Sequence, residues 1–239
     1  LYASSLTPGR VKRAQSNWTG PVEEGWPSWA FSNHDAPRCV SRWYGGTDRN
    51  RFAKLTNALL LCLRGNPILY QGEELGLPQA EVPFEKLQDP EAIANWPLTL
   101  GRDGARTPMP WVSGAPEGGF TTGTPWLPVG QGHLEAAVDV QDDHSESVLN
   151  FTRRLLGVRG ASRALTTGDI AFEDVEAPLL ALRRSAGDET LLCIFNLGEA
   201  AQLRPSCMPK DADALLASGW RDGDMTGSVP EYSVWIGRI

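Results

Sequence analysis

The chain has 239 residues, a formal net charge of -7 and a hydrophobic fraction of 41%. This size and composition predict a globular protein with one large domain, or with a large and a small one. The acidic balance argues against binding to nucleic acid or to an anionic membrane surface, because both need clustered Lys and Arg. No apolar run approaches the roughly eighteen residues that a membrane span needs.

The cysteines and tryptophans give two further indications. The four cysteines lie far apart and form no C-x-x-C pair, so the sequence predicts no metal site and no cofactor. We interpret them as reduced, buried thiols of a cytoplasmic protein, with disulfide pairing as the open alternative. The nine tryptophans either pack in the core and the loops or stack on the flat faces of sugar rings.

Two helices and two strands are predicted in the first part of the chain. A helix capped by Thr7 runs to about Asn17. A short buried strand follows over residues 29–32, after a Gly-Trp-Pro turn. Apolar residues at helical spacing predict a helix over residues 50–64, and residues 67–70 form a second short apolar strand.

Each of the two predicted strands ends in polar residues. His34 and Asp35 follow the first strand, and residues 71–74 follow the second. Short apolar strands that alternate with helices are typical of parallel sheets covered by helices. In (β/α) barrels, catalytic residues lie at the C-terminal ends of the strands. We therefore expect both polar clusters to face the same mouth of a barrel.

The chain leaves this regular pattern after the second strand. Residues 78–145 are rich in Pro, Gly and Trp and have only weak periodicity. A loop of that length is usually functional or disordered, and its Trp and apolar content favours an ordered, functional excursion. A helix is then predicted over residues 146–158, with Asp143 or Ser145 as its cap.

The pattern changes again near residue 160. Residues 179–183, 190–197 and 232–236 resemble strands and are separated by Gly, Asp and Pro turns. This predicts a small antiparallel domain at the C-terminus. We therefore divide the chain into a barrel part, residues 1–160, and a β-domain, residues 161–239.

His34 and Asp35 form the first candidate site. In one interpretation, Asp35 caps a following helix and His34 is a buried, hydrogen-bonded histidine. In the other, a donor and a carboxylate at a strand end stabilise a cationic transition state. The residues alone leave both interpretations open.

Two further groups have both a structural and a functional interpretation. Glu73 and Glu74 follow the second strand, where one carboxylate pairing with an Arg and the other being solvated is the structural alternative. Arg102 and Arg106, in the segment GRDGARTPMPW, either tie down carbonyls and acidic side chains or clamp sugar hydroxyls. Spacing does not choose between these alternatives.

Three segments, in this order, carry a family resemblance: FSNHDAPR, GNPILYQGEELGLP and RDGARTPMPW. They closely resemble the C-terminal half of bacterial α-glucosidases and oligo-1,6-glucosidases of glycoside hydrolase family 13, the α-amylase superfamily. The resemblance covers nearly the whole chain. It implies an α/β fold, the last part of a (β/α)8 barrel followed by a small antiparallel β-sandwich domain. Residues 29–32 and 67–70 would be the seventh and eighth barrel strands.

The resemblance also implies roles for single residues. Asp35 matches the third catalytic carboxylate of the family, which stabilises the transition state, and His34 matches a histidine that binds glucose hydroxyls. Arg102 matches an arginine that binds the non-reducing glucose. Arg106 and Glu74 complete the candidates for substrate binding.

The resemblance places the nucleophile Asp and the general acid Glu of the family upstream of these segments, and residues 1–25 contain neither motif. A retaining glycosidase needs those two carboxylates about 5 Å apart. We therefore expect a C-terminal fragment, inactive alone, of an enzyme that hydrolyses terminal α-glucosidic bonds of oligosaccharides, with the missing N-terminal barrel half as its partner. The alternatives are a transglycosylating relative, such as a sucrose isomerase or glucosyl transferase, and a noncatalytic sugar-binding or partner subunit.

Overall fold

The fold combines a two-stranded parallel sheet, packed on helices, with a five-stranded antiparallel sheet. The computed structural model describes residues 3–18, 20, 25–99, 101–209, 214–220 and 227–239. Buried side chains from both sheets and from the helices between them form one hydrophobic core, so the two parts pack against each other.

Helix α1, Pro8–Ser16, begins where the sequence predicts it. The Thr7 hydroxyl accepts a hydrogen bond from the Arg10 N–H at 3.3 Å, which satisfies one of the free donors of the first turn. Pro8 occupies the first helical position, where no N–H is needed. Val11 points into the core and is 1% exposed.

Strands β1, Ser28–Ala30, and β2, Asn66–Ile68, pair in parallel, as predicted. Both are shorter than predicted, because the parallel register covers only these three residues of each strand. The expectation of fully buried strands is correct for Trp29, which is 7% exposed, and wrong for Ile68, which is 52% exposed. In the described ranges β2 has β1 as its only sheet neighbour, so its other edge pairs with no strand there.

Two helices connect β1 to β2. Helix α2, Cys39–Trp43, is short, and helix α3, Arg49–Cys62, is the long helix that the apolar spacing predicts. The Asp48 carboxylate caps α3 by accepting the Arg51 N–H at 2.9 Å. Because ten of its residues are buried, α3 forms the centre of the core.

Gly65 allows the chain to pass from α3 into β2. It has φ 141°, and a Cβ at this position would lie 2.6 Å from both Pro27 O and Trp29 Nε1. The Trp29 indole N–H donates to Arg64 O at 2.7 Å. A residue without a side chain is therefore needed where the end of the helix approaches β1.

Residues 78–145 form an excursion with little regular structure. The described residues of the excursion form two short helices, α4, Pro90–Asn95, and α5, Val138–Asp142. The remaining turns are short 3₁₀ helices at Phe84–Lys86, Asp103–Ala105, Pro116–Gly119 and Leu134–Ala136. A separate apolar cluster stabilises the excursion, formed by Val82, Leu87, Ala92 and Leu127.

His133 contacts Pro78, the first residue of this excursion, and makes the stability of the fold depend on pH. The side chain is fully buried, and its Nε2 lies 3.0 Å from Pro78 O. Burial lowers the pKa of His133 to about 4, from an ordinary value of 6.5. The folded chain therefore resists protonation of this imidazole, whereas the unfolded chain does not.

We expect the free energy of unfolding to fall by about 2 kcal/mol as the pH is lowered from about 7 to about 5, because the unfolded chain binds a proton at His133 more readily than the folded chain. A lowered histidine pKa contributes no penalty above the unfolded pKa, and the penalty grows as the pH falls towards the folded pKa. His133→Gln keeps a donor for Pro78 O and has no charge to gain. Urea denaturation at both pH values should show a smaller loss for His133→Gln than for the wild type, and equal losses would contradict the assignment.

Helix α6, Val148–Ala161, follows the excursion and packs on α3. The predicted caps, Asp143 and Ser145, are wrong. Ser147 is the cap, because its hydroxyl accepts the Asn150 N–H at 3.1 Å. The preceding residues form a separate turn that ends in a hydrogen bond from the Ser147 N–H to His144 O.

The strands of the β-domain follow the short helix α7, Arg163–Thr166. Its main sheet contains β3 (Asp169–Phe172), β4 (Leu179–Ala186), β5 (Glu189–Asn196), β7 (Ala214–Ser218) and β9 (Val234–Arg238). This sheet has the order β3-β4-β5-β9-β7 and is antiparallel throughout. A small second sheet pairs β6, Gln202–Leu203, with β8, Ser228–Val229. The three predicted strands are therefore confirmed as β4, β5 and β9, with shifted ends.

Arg184 joins the β-domain to the barrel part. Its side chain is fully buried, and Nη1 donates to the carbonyls of Cys62 at 2.7 Å and Leu63 at 3.0 Å, at the end of α3. Nη2 donates to Gly168 O at 2.8 Å, and Nε donates to Asp169 O at 3.1 Å. Burial lowers the pKa of Arg184 to about 10.

All four cysteines are free thiols, and Cys39, Cys62 and Cys193 are buried, as expected. Cys207 is only partly buried, so the expectation is wrong for this residue. Within the part of the chain that the structure describes, no helix combines the length and the apolar character of a membrane span.

Candidate active site

A tight turn after β1 presents His34 and Asp35. Asn33 and Ala36 form an isolated bridge across it, and the Asp35 N–H donates to Asn33 Oδ1 at 2.8 Å. The side chains of His34 and Asp35 are 69% and 56% exposed, and His34 Nε2 lies 3.3 Å from Asp35 Oδ2. The capping interpretation of Asp35 is wrong, because α2 begins only at Cys39. The buried interpretation of His34 is also wrong.

Two arginines from the excursion bind the Asp35 carboxylate. Arg106 Nη2 lies 2.9 Å from Asp35 Oδ1, and Arg106 Nε donates to His34 O at 2.7 Å. Arg102 Nη1 lies 3.4 Å from the same Asp35 oxygen. The turn and the excursion are thus connected through Asp35 Oδ1 and through His34 O, while Asp35 Oδ2 remains beside the imidazole.

A buried carboxylate, Asp89, orients Arg102. Arg102 Nε donates to Asp89 Oδ2 at 3.0 Å and Nη2 donates to Oδ1 at 2.7 Å, which is a bidentate pair. The Arg102 N–H also donates to Asp89 Oδ2 at 2.8 Å. The hydrogen bonds from Arg102 hold the pKa of Asp89 well below its usual range, and Asp89 raises the pKa of Arg102. Asp89 therefore fixes Arg102 through Nε and Nη2, and the remaining nitrogen, Nη1, reaches Asp35.

The backbone around Arg102 is tightly packed. The Asp103 carboxylate is buried and accepts the N–H groups of Gln88 and Asp89 at 2.6 and 2.8 Å. A Cβ at Gly104 would lie 2.2 Å from the backbone oxygen of Ala80. Glycine is therefore required at this position, because backbone cannot move aside as a flexible side chain can.

Glu73 connects the ends of the two strands beneath the site. Its Oε1 accepts the Ser32 hydroxyl at 2.6 Å and the Cys39 thiol at 3.4 Å, and its Oε2 accepts the Tyr70 N–H at 2.8 Å. The Ser32 hydroxyl also accepts the Cys39 N–H at 2.9 Å. Burial raises the pKa of Glu73, and these hydrogen bonds oppose the shift. Residues 32 and 39 bracket the turn that carries Asp35, so Glu73 holds both ends of that segment.

A cavity of about 500 Å³ opens beside Arg106. Three aromatic side chains, Trp111, Phe120 and Trp126, form much of its wall and are about half exposed. The other lining residues are Tyr70, Gln71, Glu74, Arg106, Thr107, Pro108, Met109 and Leu127. The size is typical of small-molecule sites in proteins, which are about 300 to 1,000 Å³.

The structure brings the predicted site residues to one face of the molecule. His34, Arg102 and Arg106 all contact Asp35 or its turn. Among the described residues, Glu74 makes no hydrogen bond to Asp35. It lines the cavity beside Arg106, and its carboxylate accepts the Gly72 N–H at 2.8 Å. Burial raises the pKa of Glu74.

Sequence reasoning missed Asp89 and the aromatic cavity. Asp89 precedes Pro90 and does cap α4, accepting the Glu91 N–H at 3.2 Å, so the local signal indicates a cap and nothing more. Its second role, as the partner of Arg102, depends on chain folding. The sequence indicated that tryptophans such as Trp111 and Trp126 could stack on sugar rings, but it did not predict that these two line the same cavity.

The sequence matches a known family. The family description "Alpha amylase, catalytic domain" fits residues 3–168. The chain belongs to the alpha-amylase family. A probable alpha-glucosidase from Rhizobium meliloti is 49% identical over the whole chain, which spans 44% of that relative. A probable oligo-1,6-glucosidase 2 from Bacillus subtilis is 31% identical over 90% of the chain, which spans 42% of that relative.

Solved structures of alpha-amylase family relatives have the same fold. An alpha-glucosyl transfer enzyme, XgtA, is 40% identical, with a TM-score of 0.82 over 98% of this chain and 44% of that chain. A trehalulose synthase, MutB, is 27% identical, with a TM-score of 0.83 over 98% of this chain and 47% of that chain. The fold is therefore the C-terminal portion of a (β/α)8 barrel followed by a small antiparallel β-domain, and the chain spans less than half of these relatives.

Proposed function

We propose that this alpha-amylase family chain carries the charge-stabilising side of an α-glucosidase active site. The reaction is retaining hydrolysis of terminal α-glucosidic bonds of oligosaccharides. The observation that carries the proposal is the Asp35 carboxylate, half exposed at the end of β1 and held on Oδ1 by two guanidinium groups. The names of the relatives, an alpha-glucosidase and an oligo-1,6-glucosidase, support the same reaction class.

Asp35 acts on the charge of the transition state. Glycoside cleavage passes through an oxocarbenium-like state, so positive charge develops on the sugar ring. A carboxylate that is already oriented stabilises this charge without further reorganisation. Arg102 and Arg106 supply that orientation, and His34, beside Oδ2, is the donor for a glucose hydroxyl.

The nucleophile and the general acid are proposed to come from the portion of the relatives that this chain does not span. A retaining glycosidase needs two carboxylates about 5 Å apart, one to attack and one to protonate the leaving oxygen. Here Glu73 is buried and Asp89 is paired with Arg102, so neither is available for attack. The proposed partner is therefore an N-terminal barrel half, in the same polypeptide or in a second one.

Complementation tests this proposal. The 239-residue chain alone should not hydrolyse p-nitrophenyl α-glucoside. Together with the N-terminal part of the Rhizobium relative it should do so, and Asp35→Asn should then lower kcat by about 10²- to 10³-fold. Asp188→Asn, in the exposed turn between β4 and β5, is the control and should have no effect.

Two results would contradict the proposal. Hydrolysis by the chain alone that Asp35→Asn abolishes would mean that no upstream carboxylates are needed. Equal rates for wild-type and Asp35→Asn chains in the complemented enzyme would remove Asp35 from the mechanism.

Glucosyl transfer is the second candidate, because a structure 40% identical to this chain is named an alpha-glucosyl transfer enzyme. The products that the complemented enzyme forms from maltose and sucrose separate the two: free glucose for hydrolysis, and new disaccharides or isomers for transfer. A noncatalytic sugar-binding subunit would form neither.

We also propose that the protein is cytoplasmic. Three of its cysteines are buried, free thiols, and free thiols fit a reducing compartment.

A further inference from the structure

One buried residue, Asp103, connects the two arginines that bind Asp35. It lies between Arg102 and Arg106 in the chain and is fully buried. Its backbone oxygen accepts the Arg106 N–H at 2.8 Å, which closes the 3₁₀ turn Asp103–Ala105. The two guanidinium side chains therefore leave opposite ends of one turn, so the position of Asp103 affects both.

The Asp103 side chain also reaches the segment that orients Arg102. Its Oδ2 accepts the N–H groups of Gln88 and Asp89, and the Asp89 carboxylate holds Arg102 through Nε and Nη2. A carboxylate oxygen that accepts two backbone N–H groups fixes both of them in one orientation. Asp103 thus acts on Arg102 through Asp89 and on Arg106 through the turn.

Support of the backbone does not by itself require a charge at this position. One oxygen accepts both N–H groups, and Asp103 Oδ1 has no hydrogen-bond partner among the described residues. A buried carboxylate with a free oxygen is costly, because it leaves water without regaining every hydrogen bond. Asparagine supplies the same accepting oxygen without the charge. The charge of Asp103 therefore needs a separate explanation.

The charge balance around Asp35 supplies that explanation. Asp35 faces the guanidinium groups of Arg102 and Arg106, and these three groups alone carry a net positive charge. Positive charge develops on the sugar ring in the proposed reaction, so a positive site would oppose the transition state. Within this hydrogen-bonded network, Asp89 and Asp103 make carboxylates more numerous than guanidinium groups, and the network becomes negative.

We propose that Asp103 is a positioning residue, which holds Arg102 and Arg106 in place and whose buried charge keeps the surroundings of Asp35 negative. The positioning is a property of the folded chain and is independent of any reaction. The effect of the charge on a cationic sugar rests on the proposed function. Buried charges are screened much less than exposed ones, so a residue that does not touch the sugar still acts on it.

Two substitutions separate the accepting oxygen of Asp103 from its charge. Asp103→Ala removes both, whereas Asp103→Asn removes only the charge. Asp139→Asn is the matched control in the same excursion, because the Asp139 carboxylate also accepts backbone N–H groups, those of Ser113 and Val140. Among the described residues it has no hydrogen bond to Asp35 or to either arginine. Circular dichroism establishes that each variant is folded.

Solvent exchange of the arginine Nε–H protons, measured by NMR on the chain alone, tests the positioning. Arg102 donates this proton to Asp89, and Arg106 donates it to His34 O. In Asp103→Ala both protons should exchange about tenfold faster or more, and in Asp103→Asn less than about threefold faster. Unchanged exchange of both protons in Asp103→Ala overturns the positioning role.

Ligand binding and turnover by the complemented enzyme test the charge. The probes are glucose, which is neutral, and isofagomine, a glucose analogue whose ring nitrogen is cationic at neutral pH. Asp103→Asn should weaken isofagomine binding about tenfold and change glucose binding by less than about twofold. It should also lower kcat for p-nitrophenyl α-glucoside about tenfold, with KM unchanged. Equal isofagomine affinity in wild type and Asp103→Asn overturns the role of the charge.

The two measurements keep this inference apart from the proposed function. A complemented wild-type enzyme that binds neither sugar and does not turn over substrate contradicts the proposed function. The exchange of the Arg102 and Arg106 protons still decides the positioning role in that case, because it is measured on the chain without any sugar.

Discussion

Replacing Arg184 by Met is expected to lower the free energy of unfolding by about 3 to 5 kcal/mol. The guanidinium donates to four backbone carbonyls, those of Cys62, Leu63, Gly168 and Asp169. Methionine fills similar space and leaves all four without this partner. Each buried carbonyl that loses its hydrogen bond costs about 1 to 3 kcal/mol, offset in part because no charge remains buried.

The four carbonyls that Arg184 binds belong to two different parts of the fold. The last carbonyls of a helix have no partner within the helix, and two of these are the Cys62 and Leu63 carbonyls at the end of α3. The other two lie just before and at the start of β3. A single buried side chain therefore serves both parts of the fold.

Arg183→Met is the matched control for this prediction. Arg183 is the neighbour of Arg184 in β4, but its side chain is 45% exposed and pairs with Glu173 at the surface. Its removal should change stability by less than about 1 kcal/mol. Urea denaturation of both variants measures the difference. Equal effects would show that the buried carbonyl contacts contribute nothing specific.

Replacing Glu73 by Gln is expected to loosen the turn that carries Asp35 and to cost about 2 to 3 kcal/mol. The carboxylate accepts hydrogen bonds on both oxygens, whereas a Gln amide offers one acceptor and one donor group. Its NH₂ group would face either the Tyr70 N–H or the Ser32 hydroxyl. One buried donor therefore loses its acceptor.

Amide hydrogen exchange measures the effect on the turn directly. In Glu73→Gln the Cys39 and Tyr70 amides should exchange at least about tenfold faster, which corresponds to about 1.4 kcal/mol of local stability. Glu74→Gln is the control, since Glu74 accepts the Gly72 N–H and does not contact Ser32 or Tyr70 in these hydrogen bonds. Unchanged exchange of both amides in Glu73→Gln would refute a positioning role for Glu73.

Local signals in the sequence predicted α1, α3 and α6 but not the shorter helices, and they predicted helix ends less well. The Thr7 cap and the apolar spacing of α3 are interactions within a few residues, so the chain carries them wherever it folds. The cap of α6 was misplaced by two residues or more, because several acceptors precede that helix and Ser147 is the one in position to reach the Asn150 N–H. Helix boundaries depend on such small differences in geometry.

The predicted barrel strands were too long for a different reason. Apolar character predicted residues 67–70, but a strand exists only where a neighbour supplies hydrogen bonds. In the described residues that neighbour is β1, which pairs with Asn66–Ile68. Tyr70 is instead held by Glu73, through a side-chain contact that the apolar pattern does not contain.

The sequence by itself determined the order of α1, β1, α3, β2 and α6, the antiparallel character of the β-domain and the place of His34 and Asp35 after β1. Only the tertiary structure decided which charged groups meet at Asp35. Arg102 and Arg106 follow Asp35 by 67 and 71 residues in the chain. Arg102 reaches Asp35 because the buried Asp89 orients it. The reason is physical: periodicity and capping act over a few residues, whereas an ion pair and a shared cavity depend on where distant segments are packed.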